Sequence, residues 1–232
     1  MQASFGDDNK TALIKTSGVL LIVGGGNVEM GLLKELKNAG TMVIAADGGA
    51  NACARAKIVP DAIIGDMDSL DGRGDWEQKT RIIEITEQQT TDFEKCLYSS
   101  QAPLTIGLGL TGKRLDHTLA ALDVMLRYGK ERRIVLVDET DLAMLANSAF
   151  SFAVSPGDRV SIHPLERVVF TCSKGLKYPL DGLELAPGER SGTSNMATNG
   201  RFTIEPAPEE KGAWLLLLDK RHLAPLILKL TR

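Results

Sequence analysis

Short apolar runs alternate with segments of helical period from Val19 to about Asp138, and no other feature of the sequence constrains the fold as strongly. Such an alternation predicts consecutive βα units around a mostly parallel, Rossmann-like sheet. The predicted strands are residues 19–23, 42–46, 62–65, 81–85, 104–107 and 134–137. The clearest predicted helix covers residues 115–127. Four leucines share one face of this helix, and we expect that face to pack on the sheet: Leu115, Leu119, Leu122 and Leu126.

The pattern changes after about Ala149 to two-residue alternation interrupted by turns. Phe150, Phe152 and Val154 alternate with other residues, residues 155–158 read as a turn, and a strand is predicted at 214–218. These signals predict an all-β second domain. The predicted domains are therefore 1–149, α/β, and 150–232, all-β.

Composition and charge exclude several classes of protein. Among the 232 residues, 43% are hydrophobic and 25% are charged, which is typical of a globular chain. A net charge of −3 gives no basic surface for nucleic acid. The N-terminal residues 1–18 lack a signal-peptide pattern, and the longest apolar runs are far shorter than the roughly 20 residues that span a bilayer. The three cysteines form no paired motif, which favours reduced thiols in a cytoplasmic protein.

Two glycine-rich segments follow predicted strands. Residues 24–27 miss the dinucleotide fingerprint because Glu29 stands where glycine or alanine is required, so a tight turn and a nucleotide-contacting loop remain equal alternatives. Residues 107–112 match G-x-G-x-x-G and open a helix whose first turn carries Arg114 and His117. Because that turn is charged, a phosphate chain is favoured over a dinucleotide. His117 is a candidate general base, although packing or nucleotide contact fits phosphoryl transfer better.

Acidic residues follow several of the predicted strands. Asp66 and Asp68 end a buried strand and, being two residues apart, project to one side. Asp47, Asp92 and Asp116 stand at equivalent places near the carboxyl ends of strands, where open α/β folds bind ligands. Solvated turns explain a lone Asp-x-Asp, and helix capping is an alternative for Asp116. Several carboxylates at one edge predict a Mg²⁺ site, because an all-oxygen set favours that ion.

Six motifs stand in the order seen in thiamine pyrophosphokinases, and the chain resembles that family over most of its length. They are residues 46–51, 60–69, 88–95, 109–117, 175–180 and 192–195. The resemblance implies an N-terminal α/β domain, a C-terminal β-sandwich that binds thiamine and dimerises, and a homodimer with shared active sites. It also implies the conversion of ATP and thiamine into AMP and thiamine diphosphate.

The resemblance further implies the roles of individual residues. The metal set would be Asp66, Asp68 and Asp92, and the catalytic set would be these three with Arg114. The ATP set would be Asp47, Gly48, Asn51, Gly109, Gly112, Arg114, Asp116 and His117. The thiamine set would be Gln88, Thr91, Asp92, Ser194 and Asn195.

The expected chemistry is attack by the thiamine hydroxyl on the β-phosphorus of ATP, with Asp92 as a candidate to receive the proton. One alternative is a pyrophosphokinase for another alcohol, such as a hydroxymethylpterin, because the N-terminal motifs concern only ATP and metal. The pair Ser194 and Asn195 favours thiamine. The other alternative is a nucleotide-binding module without catalysis.

Overall fold

The structure, a computed structural model, describes residues 12–209 and 212–232. The chain folds into two units, Met1–Ala120 and Ala121–Arg232. The predicted boundary lies later, between residues 149 and 150, and a separate function for each predicted domain stays a prediction. The predicted absence of an export signal concerns residues 1–18, of which 1–11 lie outside the described residues. No helix within the described ranges is long and apolar enough to cross a membrane.

The first unit contains five of the predicted strands, and these are confirmed to within a residue at their ends. Its strands are β1 (Ile14–Lys15), β2 (Val19–Val23), β3 (Met42–Ala46), β4 (Ala62–Gly65), β5 (Arg81–Glu84), β6 (Ser100–Gln101) and β7 (Leu104–Leu108). Its helices are α1 (Met30–Asn38), α2 (Gly49–Ala56), α3 (Arg73–Glu77), α4 (Asp92–Tyr98) and the start of α5 (Leu115–Tyr128), which ends in the second unit.

Parallel pairing places the ends of β3 and β4 side by side. In this unit β2 pairs with β3 and β7, β3 pairs with β4, and β4 pairs with β5, all in parallel. The central strands are apolar throughout, and Leu21, Ile44 and Ile63 are fully buried, as expected for strands covered on both faces. Parallel strands end at the same edge of a sheet, and β3 and β4 are neighbours. Asp47, which follows β3, and Asp66, which follows β4, therefore lie at adjacent strand ends.

The two glycine-rich loops pack backbone against backbone. A Cβ atom at Gly24 would lie 2.5 Å from the carbonyl oxygen of Gly109, and one at Gly26 would lie 2.6 Å from the same atom. The amide of Gly26 donates a hydrogen bond to that carbonyl at 2.7 Å. Any side chain at these positions would separate the loops, so both glycines have a structural role.

Helix α5 packs only in part through its predicted leucine face, of which Leu122 and Leu126 are half-buried. Leu115 is 73% exposed and Leu119 is 55% exposed, whereas Ala121, Val124 and Met125 are buried. The prediction was wrong for Leu115 and Leu119, because the fully buried positions of α5 form a second apolar stripe at helical spacing. Periodicity identifies such stripes without identifying which of them meets a neighbour.

The second unit consists mainly of antiparallel strands. They are β8 (Ile134–Val137), β9 (Asp141–Ala146), β10 (Phe150–Ala153), β11 (Arg159–Pro164), β12 (Val168–Lys174), β13 (Glu184–Leu185), β14 (Gly192–Met196), β15 (Arg201–Pro206) and β16 (Trp214–Asp219). One run has the order β8-β9-β16-β11-β14, and a separate sheet has the order β10-β15-β12-β13. The ring of Phe170 on β12 meets that of Trp214 on β16 edge to face at 5.6 Å, so both sets of strands contribute to the core.

The second unit also contains helix, which the all-β prediction did not include. A 3-10 turn, Lys220–His222, leads into α6 (Leu223–Leu230). Leu223, Leu226 and Leu230 are buried at spacings of three and four residues. The prediction was wrong because the segment is short and contains Pro225. Proline is tolerated in the first turn of a helix, where its missing N–H is not needed.

Gly49 offers a test of the close packing between α2 and β2. A Cβ atom there would lie 1.8 Å from the carbonyl oxygen of Val23, and backbone atoms cannot rotate away. We expect Gly49→Ala to lower the free energy of unfolding by about 1–3 kcal/mol, measured by urea denaturation. Gly74→Ala in α3 is the matched control, because its Cβ would have no neighbour within 4 Å. Equal stabilities of the two variants would contradict this prediction.

Candidate active site

Three carboxylates meet where β3 and β4 end. Oxygen atoms of Asp47, Asp66 and Asp68, here called the carboxylate cluster, lie within 4.8 Å of one another. Asp47 directly follows β3, and its amide donates to the carbonyl of Ile64 on β4 at 2.9 Å. Its φ of 42° turns the chain sharply after the strand. The sequence prediction that carboxylates gather at this edge is confirmed for these three residues.

Asp47 is the buried member of the carboxylate cluster. It is 2% exposed, and its Oδ2 accepts a hydrogen bond from the amide of Ser69 at 3.0 Å. Its Oδ1 is buried and has no hydrogen-bond partner among the described residues. Burial raises the pKa of Asp47 to about 6, the Ser69 amide opposes this rise, and the negative charges of Asp92 and Asp68 add to it.

Asp66 and Asp68 are more accessible, and their hydrogen bonds come from neutral donors. Gln88 donates from Nε2 to Oδ2 of Asp66 at 2.7 Å, and this bond is the main cause of a lowered pKa at Asp66. The amide of Asp68 donates to Oδ1 of Asp66 at 3.4 Å. The hydroxyl of Ser69 donates to Oδ1 of Asp68 at 2.8 Å. Ser69 therefore contacts two members of the carboxylate cluster.

Asp92 lies beside the carboxylate cluster and is paired with a buried lysine. The Nζ atom of Lys95 donates to Oδ1 of Asp92 at 3.0 Å and lies 3.6 Å from Oδ2 of Asp66. Burial raises the pKa of Asp92, the bond from Lys95 opposes this rise, and the charges of Asp66 and Asp68 add to it. Burial alone would lower the pKa of Lys95, but Asp92, Asp66 and Glu87 together raise it.

Gly65 allows these acids to approach the end of β4. A Cβ atom at Gly65 would lie 2.7 Å from the Cβ of Asp47 and 3.0 Å from Oδ1 of Asp92. The first distance is shorter than real Cβ contacts, and the second lies at their lower limit. Absence of a side chain at Gly65 therefore permits Asp47 and Asp92 to share one region.

The carboxylate cluster fits a hard divalent cation. All its donor atoms are oxygens, and one of them, Oδ1 of Asp47, is buried without a hydrogen-bond partner in residues 12–209 and 212–232. Two carboxylates about 4 Å apart repel by about 4 kcal/mol at an effective dielectric of 20. Mg²⁺ is bound by such carboxylate sets together with phosphate oxygens and water. The predicted third ligand, Asp92, has one oxygen engaged by Lys95, and its role as a ligand stays a prediction.

The residues predicted for the phosphate chain lie at the start of α5. Arg114 forms two hydrogen bonds to Asp116, at 3.1 Å and 2.6 Å, and both side chains are exposed. This pairing lowers the pKa of Asp116. The amide of His117 donates to Oδ1 of Asp116 at 3.0 Å. Positive φ angles of 66° at Gly109 and 77° at Gly112 shape the loop before the helix.

Three other predicted ligands have structural hydrogen bonds or contacts. Asn51 donates to the carbonyl of Ser69 at 2.9 Å and accepts from the amide of Asp71 at 3.1 Å. A Cβ atom at Gly48 would lie 3.2 Å from the Cβ of Ser69. Thr91 is the N-cap of α4. Gly48 and Asn51 thus hold the segment that positions Ser69, and their predicted contacts with ATP stay predictions, as does that of Thr91 with thiamine.

Ser194 and Asn195, predicted to contact thiamine, lie on β14 in the second unit. Ser194 is exposed, with a φ of 61°. Asn195 is 3% exposed. Its Oδ1 accepts from the amides of Tyr178 and Met196, and its Nδ2 donates to the Tyr178 carbonyl at 2.7 Å. Asn195 therefore fixes the backbone of Tyr178, whose side chain is exposed.

Asn195→Ala separates a structural role of this side chain from a role in binding alone. We expect the free energy of unfolding to fall by about 1–3 kcal/mol, because buried backbone groups lose their partners. Thermal and urea denaturation measure the change. Asn199→Ala alters an exposed asparagine and should leave stability within about 0.5 kcal/mol of the original. An unchanged stability of Asn195→Ala would leave contact with a ligand as its only role.

Sequence reasoning missed three contributors to this site: Lys95, Gly65 and Ser69. Lys95 stands three residues after Asp92 on the buried face of α4, so an i,i+3 pair was the available signal. Gly65 and Ser69 lie within a recognised motif, but their contacts depend on how close Asp47 and Asp92 lie to them in the folded chain. No local sequence pattern predicts those distances.

The fold and the site define a class of protein: a chain with an α/β unit whose parallel strands end at a carboxylate cluster, followed by a unit of antiparallel strands. Residues 33–137 match the family model described as thiamin pyrophosphokinase, catalytic domain. This range contains all members of the carboxylate cluster. Thiamine pyrophosphokinase 1 of Arabidopsis thaliana is 30% identical over 217 residues, covering 78% of this chain and 79% of the relative. The chain belongs to the thiamine pyrophosphokinase family.

Solved structures agree with this fold. The thiamine pyrophosphokinase of Bacillus subtilis superposes with a TM-score of 0.73 at 22% identity, covering 87% of this chain and 98% of that one. Yeast thiamin pyrophosphokinase superposes with a TM-score of 0.74 at 18% identity, covering 94% of each chain. At these identities the likeness shows a shared fold.

Proposed function

We infer that this chain transfers a pyrophosphoryl group from ATP to thiamine, giving thiamine diphosphate and AMP. The observation that carries this inference is the carboxylate cluster inside the range that matches the family's catalytic domain, with a buried oxygen that has no partner in the part of the chain that the structure describes. In this proposal Asp47, Asp66 and Asp68 hold Mg²⁺. When bound, the ion offsets the negative charge of the phosphates and polarises the transferred group.

The chain's own residues align the reactants. The thiamine hydroxyl oxygen bonds to the β-phosphorus, the bond from that phosphorus to the oxygen bridging to the α-phosphorus breaks, and AMP leaves. Asp92 receives the hydroxyl proton, a role supported by its raised pKa and by the fixation of its Oδ1 by Lys95. Arg114 binds phosphate oxygens with its forked guanidinium, which Asp116 already orients. Alignment of two bound reactants supplies about 7–11 kcal/mol in favourable cases.

The remaining predicted ligands complete the substrate sites of this proposal. ATP is contacted by Asp47, Gly48, Asn51, Gly109, Gly112, Asp116 and His117. Thiamine is positioned by Gln88, Thr91, Ser194 and Asn195. Residues 1–149 act as a Rossmann-like ATP- and metal-binding domain, and residues 150–232 act as a β-sandwich that binds thiamine and dimerises.

Homodimerisation and a cytoplasmic location belong to the same proposal. The exposed Leu115 and Leu119 on α5 add apolar surface to a subunit contact made mainly by residues 150–232, and light scattering tests for the dimer directly. An active monomer would contradict the shared active site. Free cysteines, Cys53, Cys96 and Cys172, support a reducing compartment.

The product of the reaction tests the proposed function. The chain is incubated with ATP, Mg²⁺ and thiamine, and AMP and thiamine diphosphate are quantified together. Equal amounts of the two are expected, with none formed in excess chelator. ADP in place of AMP would indicate single phosphoryl transfer and would overturn the proposal. AMP release with a hydroxymethylpterin but not with thiamine would reassign the acceptor.

A further inference from the structure

Lys95 is a buried cation to which the proposed reaction assigns no step of its own. Its side chain is 2% exposed, and its Nζ lies 3.0 Å from Oδ1 of Asp92 and 3.6 Å from Oδ2 of Asp66. It lies on α4, where its neighbours Phe93, Cys96 and Leu97 are buried. A lysine is almost never this buried unless it is paired, because desolvating an ammonium group is costly.

The contacts of Lys95 divide the oxygens of its two partners. Oδ1 of Asp92 accepts its hydrogen bond, and Oδ2 of Asp92 has no hydrogen bond within the described part of the chain. Oδ2 of Asp66 faces Lys95 and Gln88, while Oδ1 of Asp66 faces the amide of Asp68. Asp92 is thus held through one oxygen and presents the other, whereas both oxygens of Asp66 have donors beside them. A free carboxylate would rotate between these arrangements.

Charge gives Lys95 a second effect on the same site. Asp47, Asp66, Asp68 and Asp92 supply up to four negative charges, and Lys95 supplies one fixed positive charge among them. A positive charge so close to the carboxylate cluster repels a divalent cation, and the repulsion is strong because the ammonium is shielded from water. The fixed cation therefore weakens metal binding at the free site while it keeps Asp66 and Asp92 in position.

We propose that Lys95 is a positioning residue that acts as a built-in cation: it fixes Asp66 and Asp92 by one oxygen each and limits divalent-ion binding to the free enzyme. This inference rests on the proposed function for its catalytic part. Its metal-binding part is independent of any substrate. Removing the charge of Lys95 should therefore strengthen divalent-ion binding and slow turnover.

The test compares Lys95→Met and Lys95→Gln with the conservative Lys95→Arg. Free and bound Mn²⁺ are measured by electron paramagnetic resonance without nucleotide, and kcat and KM are measured with ATP, Mg²⁺ and thiamine. The neutral variants should bind Mn²⁺ at least tenfold more tightly and turn over at least 100-fold more slowly. Lys95→Arg should stay within about threefold of the original Mn²⁺ affinity, since it keeps the charge. Lys34→Met removes an exposed lysine and should change neither quantity.

Several outcomes would overturn the inference. A purely structural role would weaken metal binding and turnover together in folded Lys95→Met, as judged by circular dichroism and thermal unfolding. Unchanged Mn²⁺ affinity in both neutral variants would also overturn it. If neither neutral variant folds, Lys95 serves folding alone and the inference fails. A wild-type chain that binds Mn²⁺ but releases no AMP would instead remove the proposed function and leave the metal-binding part standing.

Discussion

Asp66→Asn is expected to lower turnover by about 10³-fold while leaving the fold intact. Asp66 belongs to the carboxylate cluster and is also the neighbour of Lys95, so it links the proposed metal site to Asp92. Loss of one charged ligand removes several kcal/mol of charge stabilisation, and each 1.4 kcal/mol is about tenfold in rate. Asparagine keeps an oxygen that can accept the hydrogen bond from Gln88, so little stability should be lost. Rates of AMP and thiamine diphosphate formation measure the effect.

The matched control for Asp66→Asn is Asp123→Asn, which removes an exposed carboxylate on α5. Its turnover should stay within a factor of two of the original. Thermal unfolding of both variants establishes that each is folded. An Asp66→Asn chain with the original rate at low Mg²⁺ would rule out this residue as a metal ligand and remove the central support of the proposed chemistry.

Asp47→Asn is expected to lower turnover by about 100-fold and to stabilise the metal-free chain at high pH. The folded-state pKa of Asp47 is raised to about 6, above the roughly 3.9 of an unfolded chain. The stability that this group contributes is therefore fully present below about pH 4 and is lost as the pH rises through 6. Replacing the carboxyl by a neutral amide removes that loss. The expected gain at pH 8 is about 1–3 kcal/mol.

Urea denaturation in chelator at several pH values measures this stability difference. The advantage of Asp47→Asn over the original chain should shrink as the pH falls from 8 to 4, because Asp47 itself becomes neutral. Asp123→Asn provides the control for a general change in net charge. A variant that is less stable than the original at pH 8 would show that burial of the charged Asp47 does not strain the metal-free fold.

The outcome at α5 shows the limit of periodicity as a guide to packing. The helix was predicted at nearly its observed bounds, yet its leucines at 115 and 119 are exposed while Val124 and Met125 are buried. The spacing of apolar residues along a helix is a local property of the sequence. Which element packs against a given face depends on the tertiary structure. The missed helix α6 has a different cause, because Leu223–Leu230 is a short segment that contains Pro225 and follows a run of strands.

The sequence by itself determined the order of the five longer strands of the first unit, with helices between them, and the placement of acidic residues at strand ends. These features follow from apolar runs and from a period of two along a strand, both of which act over a few residues. Tertiary structure alone decided that Asp47 is the buried member of the carboxylate cluster, that Gly65 makes room for Asp47 and Asp92, and that Lys95 is buried between acids. These contacts join residues from different strands and helices, and their distances depend on how those elements pack.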